Sequence, residues 1–408
     1  MGNLAFKDVG EEEFLPKEIL PDITVKPDAD TWEACVYHNP HNLEASWRKL
    51  EAQGACTVFQ TYDWASCWYE AAAACAQAEP LIVTVARKDA GIVWLLPLCL
   101  YRKGKLKIIT FADLGLSNYT GPVAAPHALS DPESVRGIAA AILESLPECD
   151  LIHFQKLPEK IGTIANPLLQ LPGIQRFRAD CYGIALDEPW QALKKKFMGS
   201  SDRSNIRRRA KLLKKEGAVV LTHHMAAAEK TELTAKLIAM QNKRFEATGR
   251  PAMPAFWQEF YRILALRGQS SSFKSCISTI AVSGEVIAMS LGVVRNNSYL
   301  GILATSAVDR WQRFGPGILL CDALLEDFQN LTKSRTGYFD FSTGDHDYKL
   351  KFGCEKNPLY EYMKPRSIRG AAPYLISRVK AYLWKYPRVF ELLRSGRKMR
   401  FFWGVKGK

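Results

Sequence analysis

The sequence predicts an α/β protein made of two similar units in tandem, each a mixed, mainly antiparallel sheet flanked by helices. Its 408 residues are 47% hydrophobic and 24% charged, which is typical of a globular chain long enough for two or three domains. An order of three strands, one helix and one returning strand occurs twice along the chain. Because both the order and the spacing repeat, a duplicated unit is favoured over two unrelated domains.

The first unit is expected over residues 41–175, after a loosely ordered leader over residues 1–40 that is rich in Pro, Asp and Glu. Apolar runs bounded by turn residues predict its strands, and apolar residues at helical spacing predict its helix. The predicted strands are 80–87, 92–101, 105–111 and 151–157, and the predicted helix is 132–146.

The second unit is expected over residues 176–364 and repeats this order. Its predicted strands are 276–282, 286–295, 298–304 and 338–342, and the helix that precedes the last of them is 317–331. Three helical segments, 190–217, 226–248 and 254–268, come before these strands and are expected to cover the second sheet. Residues 365–408 are predicted to form a helical tail rich in basic and aromatic side chains.

Ten cysteines are spread along the chain, mostly inside apolar runs, and no two form a C-x-x-C pair. This usage is typical of reduced core cysteines in a cytosolic protein and argues against a disulfide framework. The seven histidines lack the spacing of metal ligands, so no metal is expected. Neither a signal core nor a run near the roughly 20 apolar residues of a membrane helix is present. We therefore expect a cytoplasmic protein, free or peripheral at the inner face of the membrane.

The chain carries 55 Lys and Arg against 42 Asp and Glu, a net charge of +13 that favours an anionic partner. Two segments hold most of this charge. Residues 194–215 contain ten basic residues and one acidic residue. Ile206, Ala210 and Leu213 lie at helical spacing there, which places the arginines on the other face of a helix. The basic face of this helix is either solvated or a phosphate-binding face.

The second basic segment is the tail. Residues 364–408 contain thirteen basic residues, one glutamate and eight aromatic residues. This mixture is typical of a helix that lies in an anionic membrane interface, so an anionic membrane surface is an expected partner. A simple packed extension is the alternative, and nucleic acid is less favoured.

Residues 312–317, Gln-Arg-Phe-Gly-Pro-Gly, lie between the end of a predicted strand and the start of an apolar helix. A helix start exposes unpaired backbone N–H groups and the positive end of the helix dipole. Gly315 and Gly317 would let a phosphate approach the backbone closely. No Lys-Ser/Thr pair follows, so the segment is not a Walker loop. It predicts an anion cradle, with a plain turn as the alternative.

The Q-x-x-G-x-G spacing resembles the pyrophosphate loop of GNAT-type N-acyltransferases, (Q/R)-x-x-G-x-(G/A). The wider arrangement resembles the BioF2-like acetyltransferases, a CelD/FemAB-like group of tandem GNAT-fold proteins. Further landmarks of this group occur in the expected order: Pro97-Leu98, Asp113, Asn118-Tyr119, Gly121-Pro122, Asn205-Ile206-Arg207-Arg208, the run 339–345, Tyr348-Lys349 and Phe352-Gly353. The resemblance implies that both halves of the chain are GNAT-like units.

The resemblance also implies an acyl-CoA-dependent N-acyltransferase in which an amine attacks a thioester directly. The CoA pyrophosphate would be held by Gln312, Arg313, Gly315 and Gly317. A backbone N–H near Leu303 or Ala304 would polarise the thioester carbonyl.

The resemblance also gives catalytic roles to four side chains, Asp340, Asp345, Tyr348 and Lys349, and His346 is a further candidate. Asp340, Asp345 and His346 are candidates for the base that deprotonates the amine. Tyr348 would protonate the departing thiolate, and Lys349 would stabilise negative charge. Each has a non-catalytic alternative: a helix cap for Asp345, exposure for His346 and packing for Tyr348.

The two halves differ at the position of the glycine loop, because residues 112–131 of the first half form a long loop instead. Only the second unit is therefore expected to bind the acyl donor, while the first shapes the acceptor side of a cleft between them. The acceptor would be a small-molecule or glycan amine, in cell-envelope or polysaccharide biosynthesis. Two alternatives stay open: a Fem-type transferase that uses aminoacyl-tRNA, and a non-catalytic membrane-peripheral scaffold derived from an acyltransferase.

Overall fold

A computed structural model describes residues 32–87, 91–126, 132–162, 164–267, 270 and 272–383. The helices are α1 (Glu44–Gln53), α2 (Tyr62–Ala74), α3 (Pro132–Ser145), α4 (Trp190–Phe197), α5 (Ser200–Leu213), α6 (Ala227–Ala247), α7 (Ala255–Leu266), α8 (Pro316–Glu326), α9 (Phe328–Thr332), α10 (Asp347–Lys351) and α11 (Ile368–Leu383). The strands of the first half are β1 (Glu33–Tyr37), β2 (Glu79–Arg87), β3 (Gly91–Lys103), β4 (Leu106–Phe111), β5 (Val123–Ala124), β6 (Leu151–Pro158), β7 (Lys160–Ile161), β8 (Ile164–Ala165) and β9 (Gln175–Arg176). Those of the second half are β10 (Cys181–Leu186), β11 (Val219–His224), β12 (Lys274–Val282), β13 (Glu285–Arg295), β14 (Ser298–Ser306), β15 (Gly337–Thr343), β16 (Glu355–Asn357) and β17 (Leu359–Pro365).

The first sheet has the order β1-β2-β3-β4-β6-β17-β9, with β5 beside β3. Its strands are antiparallel except for the parallel pair β4 and β6. Residues 81–85 of β2 and 93–99 of β3 are buried without interruption. Such continuous apolar runs belong to strands covered on both faces.

The second sheet has the order β11-β12-β13-β14-β15-β10-β16, again with a single parallel pair, β14 and β15. Residues 287–294 of β13 form its buried centre. Helices α6 and α8 pack against the central strands of this sheet. The α/β architecture predicted from the sequence, two helix-flanked sheets that are mainly antiparallel, is confirmed.

One strand crosses from the second unit to the first sheet. Strand β10, the first strand of the second half, lies in the second sheet, between β15 and β16. Strand β17 follows the second unit but lies in the first sheet, between β6 and β9. The sequence boundary at residue 364 had placed residues 359–364 in the second unit. These residues pair with β6, about 200 residues earlier in the chain, and so belong to the first unit. Local sequence patterns do not encode such a pairing.

A matching irregularity in both sheets supports the duplication. Strand β10 slips register against β15 and β17 against β6, and in each case one non-glycine residue of the bulge adopts a positive φ. These residues are Ser342 in β15, with φ 70°, and Lys156 in β6, with φ 57°. Bulges of this kind re-aim neighbouring side chains and are characteristic of the positions where a sheet opens.

The hydrophobic core crosses from one unit to the other. Helix α7 packs against α2 of the first unit, with Trp64 and Phe260 at 5.0 Å between ring centroids and Trp68 and Phe256 at 5.5 Å. The expectation that this helix covers the second sheet was wrong. Its aromatic residues find a larger apolar surface on α2, which is almost entirely buried.

Three other sequence boundaries differ from the structure. Residues 33–37, assigned to the leader, form the edge strand β1, because Ala34 and Val36 point into the core. The predicted helix 190–217 ends and restarts at Met198 and Gly199, and the predicted helix 317–331 is interrupted at Asp327. Residues 1–31 and the end of the predicted tail, 384–408, lie outside the described residues.

All ten cysteines lie in the described part of the chain, and none is paired. Among the residues described, no helix combines the length and the apolar character needed to cross a membrane.

Candidate active site

The candidate site is a cavity of about 570 Å³ that forms where β14 and β15 separate. The two strands pair only from Ser298 to Leu300, opposite residues 338–340. Beyond Leu300 the strands diverge, and the edge of β14 that faces β15 has no strand partner among the described residues. A bulge at Ile302 strengthens the separation, since Gly301 pairs with Gly292 while Leu303 pairs with Leu291. Leu303 and Ala304 therefore line the cavity with one backbone edge unoccupied.

The glycine loop forms one end of this cavity. Residues 312–314 make a short 3-10 turn, Gly315 adopts φ 62°, and Pro316 begins α8. Between residues 312 and 319, all of which the structure describes, most backbone amides already donate within the turn: Gln312, Phe314, Gly315, Ile318 and Leu319. Pro316 has no N–H. The N–H of Gly317 remains unbonded beside the cavity, so the loop offers fewer free donors than the sequence pattern suggests.

Arg209 adds a positive charge to this loop. The φ of Gly315 favours glycine, and a Cβ there would lie 2.1 Å from the guanidinium of Arg209, so any larger residue would displace this side chain. Arg209 lies on α5 and donates to the Asn205 side chain at 3.3 Å. The sequence did not predict this contact, which joins the basic helix to the donor loop.

Asp340 lies in the opposite wall of the cavity, on β15, and is 3% exposed. Its carboxylate accepts hydrogen bonds from the Tyr119 hydroxyl and, at 2.6 Å, from the backbone N–H of Ser342. Burial raises the pKa of Asp340 to about 6, against the lowering effect of these two hydrogen bonds and of Lys349. A carboxylate with a raised pKa in a cavity is a candidate proton acceptor.

Tyr119 comes from the first unit. The loop that carries it is held by Asp113, whose carboxylate accepts from Ser117 N–H at 2.7 Å and pairs with Lys156 at 2.8 Å. At its tip, Asn118 donates to the Gly301 carbonyl at 3.4 Å and accepts from the Ser342 hydroxyl at 2.6 Å. The long loop that replaces a glycine turn in the first unit thus reaches the cavity of the second.

Lys349 lies on α10, is 2% exposed, and reaches the end of β15 with its ammonium. Its ammonium donates to the carbonyls of Ser342 and Thr343 at 3.0 and 2.9 Å, and lies 5.1 Å from the Tyr182 ring centroid. Burial lowers its pKa. These contacts show Lys349 holding the bulge that positions the Asp340 segment.

Tyr348 and His346 complete the mouth of the cavity. The Tyr348 ring stacks on His346, with centroids 6.0 Å apart, and burial raises the pKa of its hydroxyl. Burial, with the positive charges of Lys349, Arg244 and Arg250, lowers the pKa of His346. Both arginines line the cavity from the end of α6 and the loop that follows it.

Two sequence candidates lie away from the cavity lining. Arg313 pairs with Glu216 at 3.0 Å on the surface, and Asp345 accepts from the Tyr182 hydroxyl at 2.7 Å. The candidates that do line the cavity are Leu303, Ala304, Gln312, Gly315, Gly317, Asp340, His346, Tyr348 and Lys349. The sequence candidates omitted Tyr119, Arg209, Arg244 and Arg250. Tyr119 had a sequence signal as part of the Asn118-Tyr119 landmark, and Arg209 as part of the basic segment 194–215, whereas Arg244 and Arg250 had none.

The matching family model is described as an acetyltransferase (GNAT) domain, and it covers residues 200–350. These residues include α5, the separating strands, the glycine loop and Asp340. Residues 200–350 form a GNAT-type acetyltransferase domain. The GNAT domain therefore contains the cavity and every sequence candidate in its lining, while Tyr119 reaches it from outside. The resemblance to tandem GNAT-fold proteins is confirmed.

Several solved structures are similar to this chain. The crystal structure of FemX is 11% identical to this chain, has a TM-score of 0.53 and is matched over 81% of this chain and 97% of its own. The structure of L-PGS from Bacillus licheniformis is 14% identical, with a TM-score of 0.48 over 84% of this chain and 96% of its own. A tandem GNAT protein from the clavulanic acid biosynthesis pathway is 11% identical, with a TM-score of 0.45 over 82% and 99%. No curated protein sequence matches this chain.

The FemX likeness shows a shared fold across both units of this chain. Within the residues that the structure describes, no three His, Cys, Asp or Glu side chains cluster in a way that could hold a metal ion.

Proposed function

We propose that this GNAT protein transfers an acyl group from acyl-CoA to an amine acceptor. The observation that carries the proposal is one cavity that joins a glycine loop at a helix start, an unpaired strand edge and a buried carboxylate. A small-molecule or glycan amine of the cell envelope is the acceptor class that the sequence resemblance favours.

The donor end of the cavity suits a pyrophosphate. The Gly317 N–H and the dipole of α8 favour negative charge there, and the guanidinium of Arg209 lies over the same loop. The extended part of the donor would run between β14 and β15, where it could bond to the free edge of β14. An N–H near Leu303 or Ala304 would then stabilise the oxyanion that forms on the thioester carbonyl.

The acceptor amine must lose a proton before or during its attack, and Asp340 is the buried carboxylate that lines the cavity. In the proposed reaction a C–N bond forms, the C–S bond breaks, and Asp340 takes the proton of the amine. Tyr348 supplies a proton to the departing thiolate. Lys349 keeps the end of β15 in place for both groups.

Calorimetry with CoA tests the donor site. Gly315→Val introduces a side chain onto a residue with φ 62° and into the space of Arg209, so we expect affinity for CoA to fall about tenfold or more. Gly284→Val is the matched control, because Gly284 also has a positive φ, 87°, but no atom near its Cβ position. Equal affinity of Gly315→Val and the wild type would remove the donor-site assignment.

Aminoacyl-tRNA is the second candidate donor. The observation that favours it is the exposed row of Arg207, Arg208 and Lys211 on α5, next to the loop reached by Arg209. Binding of tRNA that weakens steeply with salt, together with no CoA binding, would favour this donor. CoA binding with thiol release in the presence of amines would favour acyl-CoA, and the absence of both activities would favour a scaffold.

A further inference from the structure

Helix α11 leaves an apolar stripe exposed. Ile368 is 94% exposed, Leu375 59% and Val379 57%. Together with Ala372, also exposed, these residues follow one another at intervals of four, three and four, so they share one face of the helix. An exposed stripe of this length on a regular helix indicates an interaction surface.

Contacts on the other side of α11 fix its orientation. The backbone just before β6 approaches so closely that a Cβ on Gly370 would lie 1.8 Å from the Asp150 carbonyl oxygen. Arg366 N–H donates to the same carbonyl at 2.9 Å, and the Ser367 hydroxyl donates to the Asp150 carboxylate. Tyr374 packs against a small cluster formed by Ile108, Leu151 and Met363. The helix therefore cannot turn its apolar stripe inward.

Positive charge surrounds this stripe. Lys364, Arg366, Arg369 and Arg378 are exposed on or just before α11, and none of them forms an ion pair with another described residue. No acidic residue occurs in the sequence from residue 362 to residue 390. A surface that combines exposed aliphatic side chains with unpaired cations complements anionic lipid headgroups above an apolar layer.

We propose that α11 docks this protein onto an anionic membrane surface, with the stripe Ile368, Ala372, Leu375 and Val379 in the lipid interface. A nucleic acid would use the cations but leave the aliphatic stripe exposed to water, which is why a lipid surface fits better. The inference goes beyond the proposed acyl transfer, because it concerns a surface formed by the first sheet and the helix that follows β17.

Sedimentation of the full chain with vesicles tests the proposal. The vesicles contain roughly three parts phosphatidylcholine to one part phosphatidylglycerol, and vesicles of phosphatidylcholine alone serve as the uncharged comparison. We expect wild-type binding to the anionic vesicles and at least about tenfold weaker binding of the double variant Leu375→Glu, Val379→Glu. Val220→Glu is the matched control, because Val220 is 52% exposed on β11 of the other sheet, and its binding should equal that of the wild type.

A second pair of variants tests the charge. Arg369→Gln with Arg378→Gln should weaken binding to the anionic vesicles, while Arg207→Gln with Arg208→Gln on α5 should not.

No wild-type binding, or unchanged binding of the Leu375, Val379 variant, would overturn the proposal. So would a wild-type dimer in analytical ultracentrifugation that this variant converts to a monomer, since the stripe would then be a contact between two copies. CoA affinity, measured in parallel, should stay constant in all four variants, which separates this test from that of the proposed activity.

Discussion

Asp340 and Tyr119 form a hydrogen-bonded pair across the two units, deep in the cavity. The hydroxyl of Tyr119 stabilises the ionised carboxylate and opposes the effect of burial, which raises the pKa of Asp340. Both units form the environment of this carboxylate, because the carboxylate comes from β15 and the hydroxyl from a loop of the other unit. Proton uptake at Asp340 thus depends on how the units dock.

Tyr119→Phe removes the hydroxyl that donates to Asp340 and leaves the ring in place. The ionised carboxylate loses stabilisation, so the pKa of Asp340 should rise above its present value of about 6. Because a base must be deprotonated to act, the acidic limb of the pH profile of kcat/KM should move to higher pH. The control is Tyr360→Phe, whose hydroxyl donates to Glu159 on the surface. An acidic limb in the same place for all three proteins would contradict the role of Asp340 as the base.

Asp340→Asn should abolish transfer but stabilise the fold at neutral pH. The folded-state pKa of about 6 lies above the unfolded value of 3.8, so the cost of ionising Asp340 in the folded protein builds up as the pH rises from about 4 to 6 and is complete above 6. The neutral amide avoids this cost, which is at most about 3 kcal/mol in the free energy of unfolding. Urea denaturation at pH 7.5 should show the gain, and it should shrink as the pH falls from 6 towards 4. A variant that is less stable than the wild type at pH 7.5 would contradict this account.

Helix α5 is an amphipathic helix of which one arginine, Arg209, reaches the glycine loop. Ile206 and Leu213 are buried against the second sheet and α8, which turns the arginines of α5 outward. Arg209 lies at the boundary of these two faces and is half-buried, so its guanidinium reaches the glycine loop. The exposed arginines of the same helix reach only solvent or their own helix.

Arg209→Ala should therefore weaken CoA binding, while Arg207→Ala should not. Loss of one guanidinium that contacts a phosphate costs about 1–2 kcal/mol, or about tenfold in affinity. Calorimetry with CoA and with pantetheine, which lacks the phosphates, gives the measurement. The difference between the variants should be present for CoA and absent for pantetheine, and an equal loss for both ligands would place Arg209 elsewhere in the site.

The two units are held together by β17 and by a core that includes α2 and α7. Strand β17 follows the second unit along the chain but lies between β6 and β9 in the first sheet. The first sheet is therefore incomplete without the end of the second unit, and the core is shared, so the two units should not unfold separately.

Equilibrium unfolding in urea should accordingly show one cooperative transition. Fluorescence of Trp64 and Trp68, in the first unit, should change at the same denaturant concentration as that of Trp311, in the second. Single-tryptophan reporter variants allow the two units to be followed separately. Two transitions with separate midpoints would show that β17 and the shared core do not couple the units.

The sequence by itself determined the α/β class, the repeated order of strands and helix, and the glycine loop before α8. These features depend on neighbours along the chain: side-chain periodicity, turn residues and the special φ of glycine. Tertiary structure alone decided that β17 joins the first sheet, that α7 packs on α2, that Tyr119 bonds to Asp340 and that Arg209 lies over Gly315. Each of these contacts joins residues about 100 or more positions apart. The packing of α7 also required a choice of one apolar surface among several. Such choices are made by the burial and register of the folded whole, which no local pattern records.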